Sequence, residues 1–434
     1  MQTQTTTLMC EATSITQPPP PPPITMESFR KEVARITQEE LLKEPSYYAW
    51  ICSVTGLKKA QDMQTLFFLA MYFISMAVLW NWNVLFGDDD TSSSSSTLSP
   101  SLYLSVLIFN VYCSFIGACI THNTIHTSMF RSSVKNRIIQ CLLSLTYGHP
   151  VSTYVPGHNL SHHKYTQSKR DIMNTYLVKS KYQILNFMFF QQQVVLNAIK
   201  SDIRYVILQK EIGRYYYVTQ VAKEFLVLIA VQIVLLYINP WKFVLFFYIP
   251  HLFGQWGIVT MNYLQHEGCA EFIRGEKHIN FNTARNFTDS MLNLVVMNNG
   301  YHTIHHLVPT SHWSLNRVLH EQLIVPRIDP RLNWASKLKY IFVSYFLIAN
   351  PWNTDPIRRD YKGDPVDMDQ GGALDPSLCP APDYQYEEWM SFPPDVVRSQ
   401  IPTGKMELLS AIFLIFFKLA VSPMYCLDPK LKLI

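Results

Sequence analysis

Four runs of apolar residues, each close to the length needed to cross a bilayer, constrain this chain more than any other feature. A hydrocarbon core of about 30 Å takes roughly 20 helical residues. Segments 64–82 and 102–121 meet that length. A third apolar region, 225–265, is interrupted by Asn239-Pro240. Proline ends helices, so the region reads as two spans, 224–238 and 241–263, joined by a tight turn. The first of these is short, with ends that extend into polar flanks. Segment 408–427 is a fifth candidate, weakened by Lys418 and Pro423. Charged residues make up 16% of the chain, against roughly a quarter in a soluble domain. The expected fold is an all-α integral membrane protein with four transmembrane helices in two hairpins and a cytosolic histidine-rich helical cap.

Orientation follows from the basic residues of the short loops. Loop 87–100 carries Asp88, Asp89 and Asp90 and no Lys or Arg, whereas 131–223 is rich in both. The acidic loop is expected in the lumen and the basic segment in the cytosol, so the second and fourth spans both end on the cytosolic face. The formal net charge of +4 is too small to suggest nucleic acid as a partner.

Outside the spans, residues 1–25 form a Thr/Pro-rich tail whose prolines 18–23 impose polyproline II, and no signal peptide is visible there. Segment 26–63 is an amphipathic N-terminal region, with Phe29, Val33, Ile36 and Leu41 near helical spacing. The main domain is expected at 64–330, followed by a C-terminal cytosolic tail, 331–434. Within that tail 352–406 is Pro- and Asp-rich and irregular, and 408–427 lies in the interface or re-enters. Lys430 and Lys432 stand fifth and third from the end, like a dilysine retrieval signal for the endoplasmic reticulum. Eight cysteines without a CxxC pair read as thiols in a reducing compartment.

Most of the 14 histidines fall in three clusters: His122 and His126; His158, His162 and His163; His302, His305 and His306. Helical positions three and four apart share a face. The pairs His122/His126 and His158/His162, and the trio His302, His305 and His306, are thus each expected to aim at one point. His266 ends the fourth span at the depth of the first cluster. Eight clustered, unpaired imidazoles are costly to bury, and metal coordination offsets that cost. Isolated His149, His251, His278, His312 and His320 read instead as solvated or capping residues. Eight or nine imidazoles exceed the needs of one zinc. HExxH is absent, because His266-Glu267 is followed by Ala at 270, and the clusters lack the carboxylates of ferritin-like di-iron sites. Two metals held almost wholly by imidazole is the economical reading.

The spacings HxxxH, HxxxHH and HxxHH, with Asn286-Phe287-Thr288 and Asn298-Asn299-Gly300-Tyr301 leading into the last cluster, resemble the three-box pattern of membrane fatty acid desaturases, a superfamily shared with hydroxylases and carotenoid ketolases. The resemblance covers about residues 60–330. It implies two iron ions (a non-haem di-iron centre) held by His122, His126, His158, His162, His163, His302, His305 and His306. His266 resembles the family's extra histidine, and Asn262 an asparagine that reaches an iron through water. The implied activity is O₂-dependent desaturation of an acyl chain entering from the bilayer, at a cytosolic face of the endoplasmic reticulum. The only His-Pro, His149-Pro150, is followed by Val-Ser rather than the haem motif HPGG, so cytochrome b5 or ferredoxin is expected as an external electron donor. Two departures stand out: Asn123 replaces the Asp of many first boxes, and the second box is one residue longer than HxxHH. Candidate partners for the ligands' other N–H groups are Glu267, Asp171, Asp289, Asn159 and Asn299. Trp256, Tyr263 and Tyr301 line an acyl tunnel or anchor at the interface. The alternatives are a lipid hydroxylase or carotenoid ketolase of the same superfamily, a zinc-dependent membrane hydrolase, and a non-catalytic metal carrier.

Overall fold

The computed structural model describes residues 21–86, 100–168, 170–178, 183–272 and 277–341. The expectations for residues 1–20, the acidic loop, segment 408–427 and the terminal lysines lie outside the described residues. Among the described residues the main helices are α1 (Met26–Leu42), α2 (Ser46–Thr55), α3 (Asp62–Trp80), α4 (Pro100–Thr124), α5 (Ser133–Tyr147), α6 (Gln183–Glu211), α7 (Tyr215–Ile238), α8 (Pro240–His266) and α9 (His302–Leu307). A minimal parallel strand pair sets Asn286–Phe287 against Asn333–Trp334. Of these helices α3, α4, α7 and α8 are long and apolar enough to cross a membrane, and the architecture is that of an all-α membrane protein.

Each span differs from its sequence expectation mainly at its ends. The largest difference is α7, which starts at Tyr215 rather than 224. Its polar flank stays helical because Gln220 and Glu224 turn inward, where Gln220 Nε2 donates to Glu224 at 2.8 Å. The turn between α7 and α8 falls at Asn239, whose side chain accepts from the Lys242 N–H and caps the new helix directly before its proline. Outward residues such as Leu226, Ile233, Val234 and Leu236 are exposed, giving the apolar jacket a lipid-facing helix needs.

The central packing is α4 against α8, with α3 and α5 also on α4 and α6 on α8. Small residues set the spacing, as in membrane bundles generally. A Cβ on Gly254 would lie 2.9 Å from the Ser114 carbonyl oxygen, and one on Gly257 2.6 Å from the Phe115 ring. In α8 a π-turn spans Val244–Tyr248, a register that frees backbone groups from α-helical bonding. Asn110 of α4 donates to the Phe246 carbonyl at 2.9 Å and accepts from Ser75 of α3 at 3.0 Å. One buried amide thus ties three spans. His251, expected to be solvated or capping, is instead buried: its Nε2 meets Tyr72 Oη at 2.9 Å and the Leu145 carbonyl at 2.7 Å. Gly148 ends α5 with φ 74°, and a Cβ there would strike the His251 ring.

α1 is capped by Thr25, which accepts from the Ser28 N–H. Its stripe Phe29, Val33 and Ile36 is buried in a cluster with Phe281, Tyr301, Ile304 and Leu319. The N-terminal segment therefore straps the region of the third histidine box. Leu41, expected in the same stripe, is 41% exposed; the helix rotates it past the contact before ending at Leu42.

Candidate metal centre

The three boxes arrive by different routes. His122 lies in the last turns of α4, and His126 follows after the chain makes one further turn, with the His126 N–H on the Asn123 carbonyl. The second box comes out of the α5 terminator. Glu224 of α7 accepts from both the Ser152 N–H and its hydroxyl, at 2.8 and 2.7 Å, fixing the approach. Asn159 then donates to the Ile125 carbonyl at 3.0 Å, joining the second box to the first. The third box, α9, is set by Met297 and Asn298 at positive φ and by Gly300, where a Cβ would lie 2.2 Å from the Phe287 carbonyl oxygen.

All nine histidines of the boxes and α8 are buried and converge as two adjoining groups. His122, His126, His158, His163 and His305 form one; His162, His266, His302 and His306 form the other. Within each group one ring nitrogen per residue lies within 4.8 Å of all the others. Among the described residues no carboxylate or thiol enters either group.

This partition corrects the pairing expected from helical spacing. His158 and His162 do not share a group, and His305 is separated from His302 and His306. The cause in the second box is a π-turn over His158–His162. A π-turn bonds residues five apart, so it brings His158 and His163 together with their Nε2 atoms 3.1 Å apart, and His162 faces the other group. The extra residue of HxxxHH is absorbed there. Stacked rings of His163 and His306, with centroids 4.2 Å apart, mark where the groups adjoin.

Ring tautomers decide what the second group can hold. His162 Nδ1 lies 2.9 Å from the Asp171 carboxylate, an acceptor. His266 Nδ1 lies 3.0 Å from the Thr283 carbonyl, also an acceptor. Both rings therefore carry their proton on Nδ1 and present bare Nε2 atoms, 3.2 Å apart. His306 follows suit: its Nδ1 faces Thr166 Oγ1, whose hydroxyl is donated to the His162 carbonyl. His302 Nε2 sits 2.9 Å from His266 Nε2 and 3.1 Å from His306 Nε2. Lone pairs aimed at one another across such gaps repel unless a cation lies among them. Nitrogens at metal–ligand distances of about 2.1 Å, set at right angles, are spaced by roughly 3.0 Å, which matches the observed gaps. The site fits two metal ions.

Burial, reinforced by the neighbouring imidazoles, holds His126, His158, His163, His302, His305 and His306 well below the ordinary histidine range. They are neutral at physiological pH, the form that binds metals.

The loop after the second box locks this arrangement. Asp171 also accepts from the Gln167 N–H at 2.9 Å and the Met173 N–H at 2.8 Å. Gln167, at φ 64°, donates through Nε2 to the His266 carbonyl at 2.7 Å. Apart from Asp171, sequence reasoning missed this clamp. Its signal was the density of amide and hydroxyl side chains between Thr166 and Thr175. Of the other suggested partners, Asp289 caps the turn at Leu292, and Glu267 accepts from Tyr263 at 2.9 Å. The Asn299 carbonyl accepts from Gln265. Asn262, one turn before His266, is buried with both amide atoms unpartnered. Trp256 donates to the Met188 carbonyl, Tyr263 packs on Phe190, and Tyr301 on His320. None of these three aromatics lines the apolar cavity that reaches His158.

Four helices long and apolar enough to cross a membrane, beside two buried all-imidazole clusters that could each hold a metal ion, define the class of protein. Residues 98–333, more than half of the chain, match the family model for fatty acid desaturases. The chain belongs to that family. No curated protein matches it.

Proposed function

We propose that this protein is an O₂-dependent fatty acyl desaturase working at two iron ions, with electrons from a separate donor such as cytochrome b5 or ferredoxin. The observation that carries the reading is the set of bare Nε2 atoms of His162, His266 and His306, fixed from behind and aimed at one point. His122, His126, His158, His163 and His305 would hold one ion. His162, His266, His302 and His306 would hold the other, with Asn262 contributing through water. Bound iron supplies the activation of O₂ needed to attack an unactivated C–H bond.

The chain's own residues supply tautomers, position and dryness. Asp171 and the Thr283 carbonyl hold ring protons on Nδ1, so that each ligand nitrogen stays available. The apolar cavity beside His158, with Val194, Ala198, Ile199 and Val259 in its walls, offers an acyl chain a water-poor surface next to the first cluster. The basic loops support a cytosolic orientation in the endoplasmic reticulum, with 64–330 as the catalytic domain.

Expression in a host lacking this activity, followed by mass spectrometry of total lipids, tests the proposal. New double bonds are expected, and their loss in His305→Ala while membrane insertion stays intact. An alcohol as sole product would move the assignment to a hydroxylase. Zinc without iron in an active preparation would overturn it.

A further inference from the structure

The cavity beside His158 has an amphiphilic lining that the metal chemistry does not explain. It encloses about 100 Å³. One face of α6 runs along it from Gln191 to Asp202, eleven helical rises or about 16 Å. A run of rings forms another wall: His158 to Tyr154 at 5.1 Å, Tyr154 to Tyr147 at 5.9 Å, Tyr147 to His149 at 6.1 Å. Between the metal cluster and His149 the lining is largely apolar. At the far end stand His149, 39% exposed, and Asp202, 13% exposed.

That pair is incomplete. Thr153 donates its hydroxyl to the Pro150 carbonyl at 2.8 Å and so accepts from His149 Nδ1 at 3.0 Å. The His149 proton is thereby placed on Nδ1, leaving Nε2 bare. Nε2 faces the Asp202 carboxyl at 3.7 Å, beyond hydrogen-bond reach. The other carboxyl oxygen, Oδ1, is buried with no partner. Among the described residues no lysine or arginine pairs with Asp202. Burial raises the Asp202 carboxyl well above the usual range and lowers His149. A buried acceptor left unpaired costs about 1–3 kcal/mol, and among the described residues none supplies the missing partner.

We propose that His149 and Asp202 form a recognition site for an uncharged hydrogen-bond donor, a hydroxyl or an amide N–H, borne by the lipid whose chain occupies the cavity. An anionic head group would meet no counter-charge at this end. The inference rests on the desaturase reading only in taking the cavity as the chain-binding site, and it narrows the substrate class to neutral lipids carrying such a donor.

The test is direct binding to the full-length, metal-loaded protein in nanodiscs. Competition against a fluorescent fatty-chain probe would compare the primary amide, the alcohol, the methyl ester and the coenzyme A thioester of one long-chain acid. The amide or the alcohol is expected to bind about tenfold more tightly than the methyl ester, the worth of one hydrogen bond to a buried group; whichever binds better identifies the donor. Asp202→Leu should erase that preference without weakening the methyl ester, and Asp202→Asn should retain it. His149→Phe, a second route should Asp202→Leu fail to fold, should also erase it. Equal affinities in the wild type, tightest binding of the thioester, or a preference that survives Asp202→Leu or His149→Phe would overturn the proposal. Lipid product analysis on the same protein separates the two readings. The preference without new double bonds would remove the desaturase assignment alone, and double bonds without the preference would remove this one alone.

Discussion

Asp171→Asn tests whether the clusters hold metal in the manner their tautomers require. The wild-type carboxylate, fully buried, accepts from three donors: His162 Nδ1, the Gln167 N–H and the Met173 N–H. An asparagine has a single acceptor oxygen. Placed toward His162 and Gln167, it turns its NH₂ on the Met173 N–H, and donor meets donor at about the present 2.8 Å. Placed the other way, it sets the NH₂ against His162 Nδ1 and drives the ring proton to Nε2, the atom aimed at the metal. In either orientation a charge-assisted bond worth roughly 1.5–3 kcal/mol is lost. Substitution of such a partner typically weakens metal binding by 10–100-fold, or about 1.4–2.7 kcal/mol. The expected result is metal loss at correspondingly lower chelator concentration, followed by elemental analysis, with activity restored by excess iron. Size-exclusion behaviour should be unchanged. An Asp171→Asn protein that retains metal across the same chelator series would refute the tautomer argument.

Two further outcomes follow from the same structure. The metal-free protein should lose thermal stability as pH falls below about 6.5: the unfolded state then takes up protons that His126, His158, His163, His302, His305 and His306 refuse in the folded state. The loss should deepen until pH reaches the depressed folded values, and differential scanning fluorimetry in detergent across pH 5–8, a span chosen around roughly 6.5, would show it; a flat profile contradicts the assignment. Asn110→Leu should destabilise the bundle by about 1 kcal/mol, because it unties α3 from α4 and leaves the Phe246 carbonyl of the π-turn without its donor. Unchanged resistance to denaturing detergent would show that the π-turn carbonyl finds another partner.

The spans were legible because a bilayer imposes a length and a composition that any 20-residue window reveals. So was the convergence of the clustered histidines, all nine of which the structure gathers into two adjoining groups. What stayed hidden was the division of those histidines between two groups. Helical spacing assigns neighbours on the assumption of 3.6 residues per turn, and the second box breaks that assumption. Had His158–His162 been α-helical, His158 and His162 would share a face, leaving one cluster without His163. The π-turn shifts the register by one residue, and nothing in His158-Asn159-Leu160-Ser161-His162 announces it. Its support comes from elsewhere in the chain: Asn159 tied to Ile125 in the first box, and Ser161 accepting from the Ile172 N–H and donating to the Arg170 carbonyl. The clamp of Asp171 and Gln167 was hidden for the same reason, since its targets, His162 beside it and His266 a hundred residues on, are chosen by packing rather than by spacing. The longer second box therefore still supplies histidines to both groups. The insertion is taken up by one wide turn, and the nitrogens it presents are all imidazole.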